Sequence, residues 1–458
     1  MPAPGAVAGE QEALSGREPA RSSTRYHARW ILPITSPPLQ DGTVCVDGDR
    51  ISYVGPRAAA PVGRDIDLGD VVLAPGLVNA HTHLDLTAFR GLLAGLPFFS
   101  WVRSVVAMRA ELTEAELLGA ARAGIAEGLL CGVTTYADTA PSSAPFEAML
   151  EMGVRGIAYR EVFGPDPLQC AASLGELRQR VDAMRALETG LVRTGVSPHA
   201  PYSVSDALFS AVADYARRER LPLATHIAES ADEFALVSEA MGPFADLLRS
   251  RGIVVTRRGR SPVALLQQAG VLGESTLLIH CVRCDADDIS AIVEHRCGVA
   301  TCPSSNTRLL DRMAPVAALR AAGVRLGVGS DSMASNDKMD VLRESVLTAR
   351  DSSRGETESV AKQAWHLATI DGARALGMEA RIGSLDVGKQ ADLAAFDAAT
   401  MLEPWNGAEP RRARLVLVAG DTLVRDGNLV TPVPGAAEAT AASSARLRLW
   451  LTTRGERR

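Results

Sequence analysis

Eight histidines occur in the 458-residue sequence, and two of them form His81-Thr82-His83. At this composition chance supplies about 0.14 His-x-His pairs. The pair closes the apolar run Leu77 to His83, which predicts a β-strand. Residues two apart on a strand point to the same side, so both imidazoles can face one metal ion. His199, His226 and His280 also end apolar runs, and Asp331 ends another in Gly-Val-Gly-Ser-Asp. One such histidine is more often packing than chemistry. Five strand ends carrying His or Asp are not a packing accident. Imidazoles with one carboxylate have the composition of a catalytic zinc or iron site that leaves a position for water. A bound divalent ion lowers the pKa of water from 15.7 to about 7. Glu229 follows His226 in His-Ile-Ala-Glu, where a carboxylate beside a metal can carry protons to a leaving group. His27, His295 and His366 lie away from strand ends and are expected to be structural.

Eight strands are predicted to position these groups: Leu77 to His83, Gly132 to Asp138, Gly156 to Phe163, Val192 to Pro198, Pro222 to Ala228, Thr276 to Cys281, Gly298 to Cys302 and Val324 to Ser330. They alternate with helical stretches such as Glu114 to Leu130, Asp206 to Arg218 and Asp287 to His295. Near-continuously apolar strands alternating with helices predict an α/β fold, a (β/α)8 TIM barrel, over residues 75–383. The alternative, a doubly wound sheet, lacks a Gly-x-Gly-x-x-Gly after its first strand. Short β runs over 28–74 (Ile31 to Ile34, Thr43 to Val46, Ile51 to Val54) and over 384–435 predict one small β-sandwich domain formed by both chain ends. That second set opens at Gly383-Ser384-Leu385 and continues with Ala391 to Phe396, Val416 to Val418 and Thr422 to Val424. Residues 1–27 read as a flexible tail, 251–261 as a surface loop, and 436–458 as a C-terminal helix or tail.

Hydrophobic residues make up 47% and charged residues 22%, with a net charge of -6, so a large core is affordable and nucleic acid is not an expected partner. Seven scattered cysteines suit a reducing cytoplasm, and no apolar run is long enough to span a membrane. A serine-hydrolase Gly-x-Ser-x-Gly is absent. Cys281-x-x-Cys284 with Cys297 and Cys302 suggests buried thiols rather than a structural zinc cluster, and the Pro-Cys-x-x-Cys of base deaminases is missing.

Larger motifs surround these residues: Pro75-Gly76-Leu77-Val78-Asn79-Ala80-His81-Thr82-His83, Ser197-Pro198-His199-Ala200-Pro201-Tyr202, His226-Ile227-Ala228-Glu229, Cys302-Pro303-Ser304-Ser305-Asn306, and Gly329-Ser330-Asp331-Ser332-Met333-Ala334-Ser335-Asn336. With them the chain resembles the amidohydrolase superfamily over roughly residues 28–435. The resemblance implies metal ligands at His81, His83, His226 and Asp331, with His280 orienting the attacking oxygen and Glu229 passing protons. Binuclear members bridge two metals with a carboxylated lysine, and this chain has no lysine before Lys338. One divalent ion per chain, zinc or iron, is therefore expected. The mononuclear branch is largely deaminases, with some triazine chlorohydrolases. Within it the chain resembles S-adenosylhomocysteine, methylthioadenosine and aminodeoxyfutalosine deaminases. That likeness implies a cytoplasmic homo-oligomer, a dimer, acting on an adenosine-like nucleoside. Expected substrate contacts are His199, Arg160, Trp101 and Phe98, with Glu111 where a ribose-binding glutamate would stand. A second arginine after Arg160 is not evident.

Overall fold

A computed structural model describes residues 23–352, 357–405, 407 and 409–455. Five strands come first: β1 (Thr24–Ile31), β2 (Leu39–Asp47), β3 (Arg50–Pro56), β4 (Arg64–Asp67) and β5 (Val71–Pro75). The barrel follows as β6 (Leu77–His83), β7 (Val133–Ala140), β8 (Arg155–Val162), β9 (Val192–Pro198), β10 (Leu223–Ile227), β11 (Thr276–His280), β12 (Gly298–Thr301), β13 (Arg325–Val328) and β14 (Asp331–Ser332). Their order in the sheet is the chain order, and β14 pairs in parallel with β6 to close the ring. The last two are halves of the eighth strand, parted at Gly329-Ser330. Glycine is required at that break: a Cβ on Gly329 would lie 2.5 Å from the His81 carbonyl oxygen. The closure thus carries Asp331 against the strand that holds both histidines of the pair.

Each strand is buried along nearly its whole length, because helices cover the outside and the barrel fills itself. Val78, Ala80, Ile157, Tyr159, Leu277 and Ile279 belong to the inner cluster. Chemistry is left to the strand ends, where side chains meet a cleft instead of packing against one another.

The second sheet is built from both chain ends. It runs β18 (Asn428–Leu429), β17 (Asp421–Arg425), β16 (Leu415–Val418), β15 (Leu393–Asp397), β5, β1, β2, β3, with β4 paired to β1. β15 joins β5 antiparallel, which unites the two ends. Arg155 on β8 forms a buried two-pronged ion pair with Asp392, at 2.6 and 2.9 Å, tying barrel to sheet.

Several expectations need correction. The tail expected over 1–27 ends sooner, because Thr24 to His27 already belong to β1. His27 is buried there, with Nδ1 2.6 Å from Thr43 Oγ1 and Nε2 2.7 Å from Asp65. Residues 1–22 lie outside the described residues. The run Ile31 to Ile34 is a strand end followed by a turn, with Ile34 in the left-handed region at φ 76°. Gly383-Ser384-Leu385 is a bend, not a strand. The 251–261 segment has no regular structure, yet it is anchored: Arg258 pairs with Asp206 and bonds the carbonyls of Pro201 and Val204. Ala436–Gly455 is a helix docked on the helix Glu114–Leu130, with Leu447 fully buried. Among the described residues no helix is long and apolar enough to cross a membrane.

Candidate active site

His81 and His83 alternate along β6 and both face the barrel mouth. His83 Nδ1 lies 2.7 Å from the Thr139 carbonyl, and His226 Nδ1 lies 3.2 Å from that of His199. A carbonyl only accepts, so both Nδ1 atoms carry the hydrogen and both Nε2 atoms keep bare lone pairs. Those two Nε2 atoms stand 3.2 Å apart. Neither can donate to the other, and a shared cation satisfies both. His81 is fully buried with neither ring nitrogen hydrogen-bonded, and its Nε2 is 3.4 Å from Asp331 Oδ1. His83 Nε2 is 3.7 Å from the same oxygen. Burial pushes His81 down to about 4 and holds His226 well below its usual value. Those two imidazoles are therefore neutral near pH 7, the form that ligates metal. The donor set fits a divalent ion.

Asp331 sits at φ 56°, a strained backbone that turns its carboxylate inward. Ser305 and Ser335 donate to Oδ2 at 2.5 and 3.1 Å, and the Ser332 amide donates to Oδ1 at 2.6 Å. Burial opposes its ionisation. Its close contact with His81 and the electrostatic influence of His280 and His83 outweigh that and hold its pKa well below the usual value.

Glu229 follows β10 through Ala228, also left-handed at φ 50°. Its Oε1 lies 3.5 Å from His280 Nε2, and both side chains are buried. Burial, reinforced by the charges of Asp331 and Glu233, pushes Glu229 well above the usual carboxylate range. A carboxyl so placed keeps a proton available. His280 Nδ1 is fixed by Asn306 Oδ1 at 2.9 Å. Two buried glutamates support these groups from behind. Glu233 accepts the Ala228 and Glu229 amides, each at 2.8 Å, and so holds the turn that presents Glu229. Glu344 accepts the Ser304 amide at 3.0 Å, the Ser304 hydroxyl at 2.6 Å and Asn336 Nδ2 at 3.1 Å. It joins the helix Pro303–Leu310, which bears Ser305 and Asn306, to the loop bearing Ser335.

Residues 72–424 match the amidohydrolase family. The chain belongs to the amidohydrolase family. It is 32% identical over 419 residues to the 5-methylthioadenosine/S-adenosylhomocysteine deaminase of Moorella thermoacetica, covering 87% of this chain and 92% of that one. It also resembles the zinc-bound adenosine deaminase of Xanthomonas campestris, with a TM-score of 0.79 and 27% identity over 93% of this chain and 98% of that one. The zinc-bound atrazine chlorohydrolase of Arthrobacter aurescens shares the fold, with a TM-score of 0.76 and 23% identity over 93% of this chain and 100% of that one.

In this amidohydrolase a cleft opens above the histidines. Trp101 and His199 line it as expected, together with His83, His226, Glu229, His280 and Asp331. Phe98 does not line it; it sits behind, stacked on Trp101 at 6.2 Å between ring centres. Arg160 is misplaced by the sequence reading. Ile157 and Tyr159 point into the barrel, so the period of two sends Glu161 inward and Arg160 out to the helix layer beside Glu114, Glu147 and Arg180. Glu111 is exposed and lines no part of the cleft. Sequence reasoning missed Glu161, for which strand alternation was the available signal. It also missed Asp85, Arg109, Phe163 and Tyr202, which reach the cleft from loops and a helix. Arg109 pairs with Asp85 at 2.8 Å. Cys281, Cys297 and Cys302 are buried and Cys284 is half-buried, and among the described residues no cysteine joins a metal-ligand cluster.

Proposed function

We propose that this chain is a hydrolytic deaminase of an adenosine-like nucleoside, with 6-aminodeoxyfutalosine and 5′-methylthioadenosine as leading substrates. The observation that carries this reading is the set His81, His83, His226 and Asp331 beside a proton-retaining Glu229 and a fixed His280. Those first four groups would hold one divalent ion, zinc before iron. Bound there, the ion supplies Lewis acidity that brings the pKa of water from 15.7 to about 7.

The chain's own residues then manage two protons. Glu229 delivers the proton it holds to the ring nitrogen next to the reacting carbon, and the next water to enter reloads it. His280, locked by Asn306, lines up the water oxygen with that carbon. Asp331 takes the second proton and returns it to the amino group, which leaves as ammonia. A carbon–nitrogen bond breaks, a carbon–oxygen bond forms, and the base becomes inosine-like. Trp101, Phe163, Tyr202 and His199 offer the cleft aromatic faces against which a purine can stack. His199 is the proposed direct contact. Arg160, Phe98 and Glu111 are withdrawn from that role by their positions. A cytoplasmic homodimer is the proposed working form.

The test is an ammonia-release panel with added zinc, comparing adenosine, methylthioadenosine, S-adenosylhomocysteine, aminodeoxyfutalosine and guanine. Turnover of one adenosine derivative supports the proposal. Chloride released from a halotriazine, without ammonia from the panel, replaces it with the chlorohydrolase chemistry of the same family.

A further inference from the structure

Glu161 at the end of β8 is unused by the mechanism above. It is 7% exposed, lines the cleft, and its Oε1 has no hydrogen-bond partner. A buried carboxyl oxygen without a partner is costly, and it favours a cation or donor brought in from outside. The arginines nearby do not hydrogen-bond it: Arg109 is spent on Asp85 and Arg160 faces the helix layer. His199 stands beside it. Its Nδ1 is held by Ser203 Oγ at 2.7 Å, which leaves Nε2 for the cleft. Ligand atoms of Glu161, His199 and His226 all lie within 4.8 Å of one another.

We propose that Glu161 and His199 form a second, weaker metal site in the mouth of the cleft, and that a divalent cation bound there inhibits the enzyme. This rests on the first ion being held as proposed above. His226 belongs to that first set through its Nε2, so the second ion keeps only Glu161 and His199 as undivided protein ligands. A carboxylate oxygen and an imidazole nitrogen suit zinc, copper or nickel better than magnesium or calcium. The same space must admit substrate to reach Glu229 and Asp331, so ion and substrate exclude each other. The enzyme would need one zinc ion and be slowed by a second.

Calorimetric titration of the metal-stripped full chain with zinc chloride tests this. Two events are expected, the second at least about tenfold weaker because two protein ligands replace four. Glu161→Gln should keep the first event and lose the second. His199→Gln gives the same test should the first variant fail to fold, and the retained tight event is the control for folding. With zinc in excess, wild-type ammonia release should show a raised KM and unchanged kcat. A single event up to millimolar zinc, or a second event unaltered in both variants, overturns the proposal. Absence of the tight event in the wild type would instead overturn the reading of the first site.

Discussion

At the scale of single residues the site keeps His81, His226 and His280 neutral and Glu229 protonated. Desolvation does both, because it disfavours whichever form is charged. Asp331 is the exception, held ionised by the histidines around it. Glu229→Gln keeps shape and metal but cannot transfer a proton, so kcat should fall by about 10² to 10⁴ with metal content unchanged. Near-wild-type turnover would remove Glu229 from the mechanism. The supporting Glu344 has a consequence for stability. Burial raises it from the usual 4.5 to about 7, so the folded state binds its proton more tightly than the unfolded chain does. Stability from this group is greatest below the lower value and is lost as pH rises through the window between the two. The unfolding temperature should fall from about pH 5 to about pH 7, and less steeply in Glu344→Gln.

At the scale of elements the decisive feature is the split eighth strand. Gly329 lets the chain pass against β6, and the left-handed Asp331 then turns its carboxylate towards His81 and His83. Gly329→Ala would drive a Cβ to 2.5 Å from a backbone oxygen, which forces β6 and β14 apart. Metal affinity should drop measurably in calorimetry even if the protein folds, and an unchanged affinity would show that the closure does not set the site. The eight strands were legible because buried parallel strands are apolar along their length. The clustering of His81, His83, His226, His280 and Asp331 was legible because polar residues at the ends of such runs have no packing reason to be there. Arg160 was misread because strand alternation was not applied: Glu161, not Arg160, shares the inward face with Ile157 and Tyr159. Asp85, Arg109 and Glu344 were not legible, since they reach the site from loops and helices whose placement depends on the whole fold.

At the scale of the molecule one barrel carries the chemistry and a sheet from both chain ends braces it. Arg155 and Asp392 are 237 residues apart, yet they form one buried pair across that boundary. Asp392→Ala would leave the guanidinium buried and uncompensated, at a cost of about 3–5 kcal/mol. Denaturant unfolding should register that loss, and a change below about 1 kcal/mol would mean the boundary is held elsewhere. The absence of lysine before Lys338 has a matching consequence. No carboxylated lysine can bridge two ions in this barrel, so one tightly bound ion is the expected result of metal analysis, with the proposed cleft site at Glu161 the weaker. The central claim is hydrolysis of a ring amino group, and one measurement addresses it directly: ammonia formed per adenosine-like nucleoside consumed by the zinc-loaded chain. One ammonia for each nucleoside converted to its inosine-like product is the result expected, and nucleoside consumed without ammonia, or no nucleoside consumed at all, would contradict it.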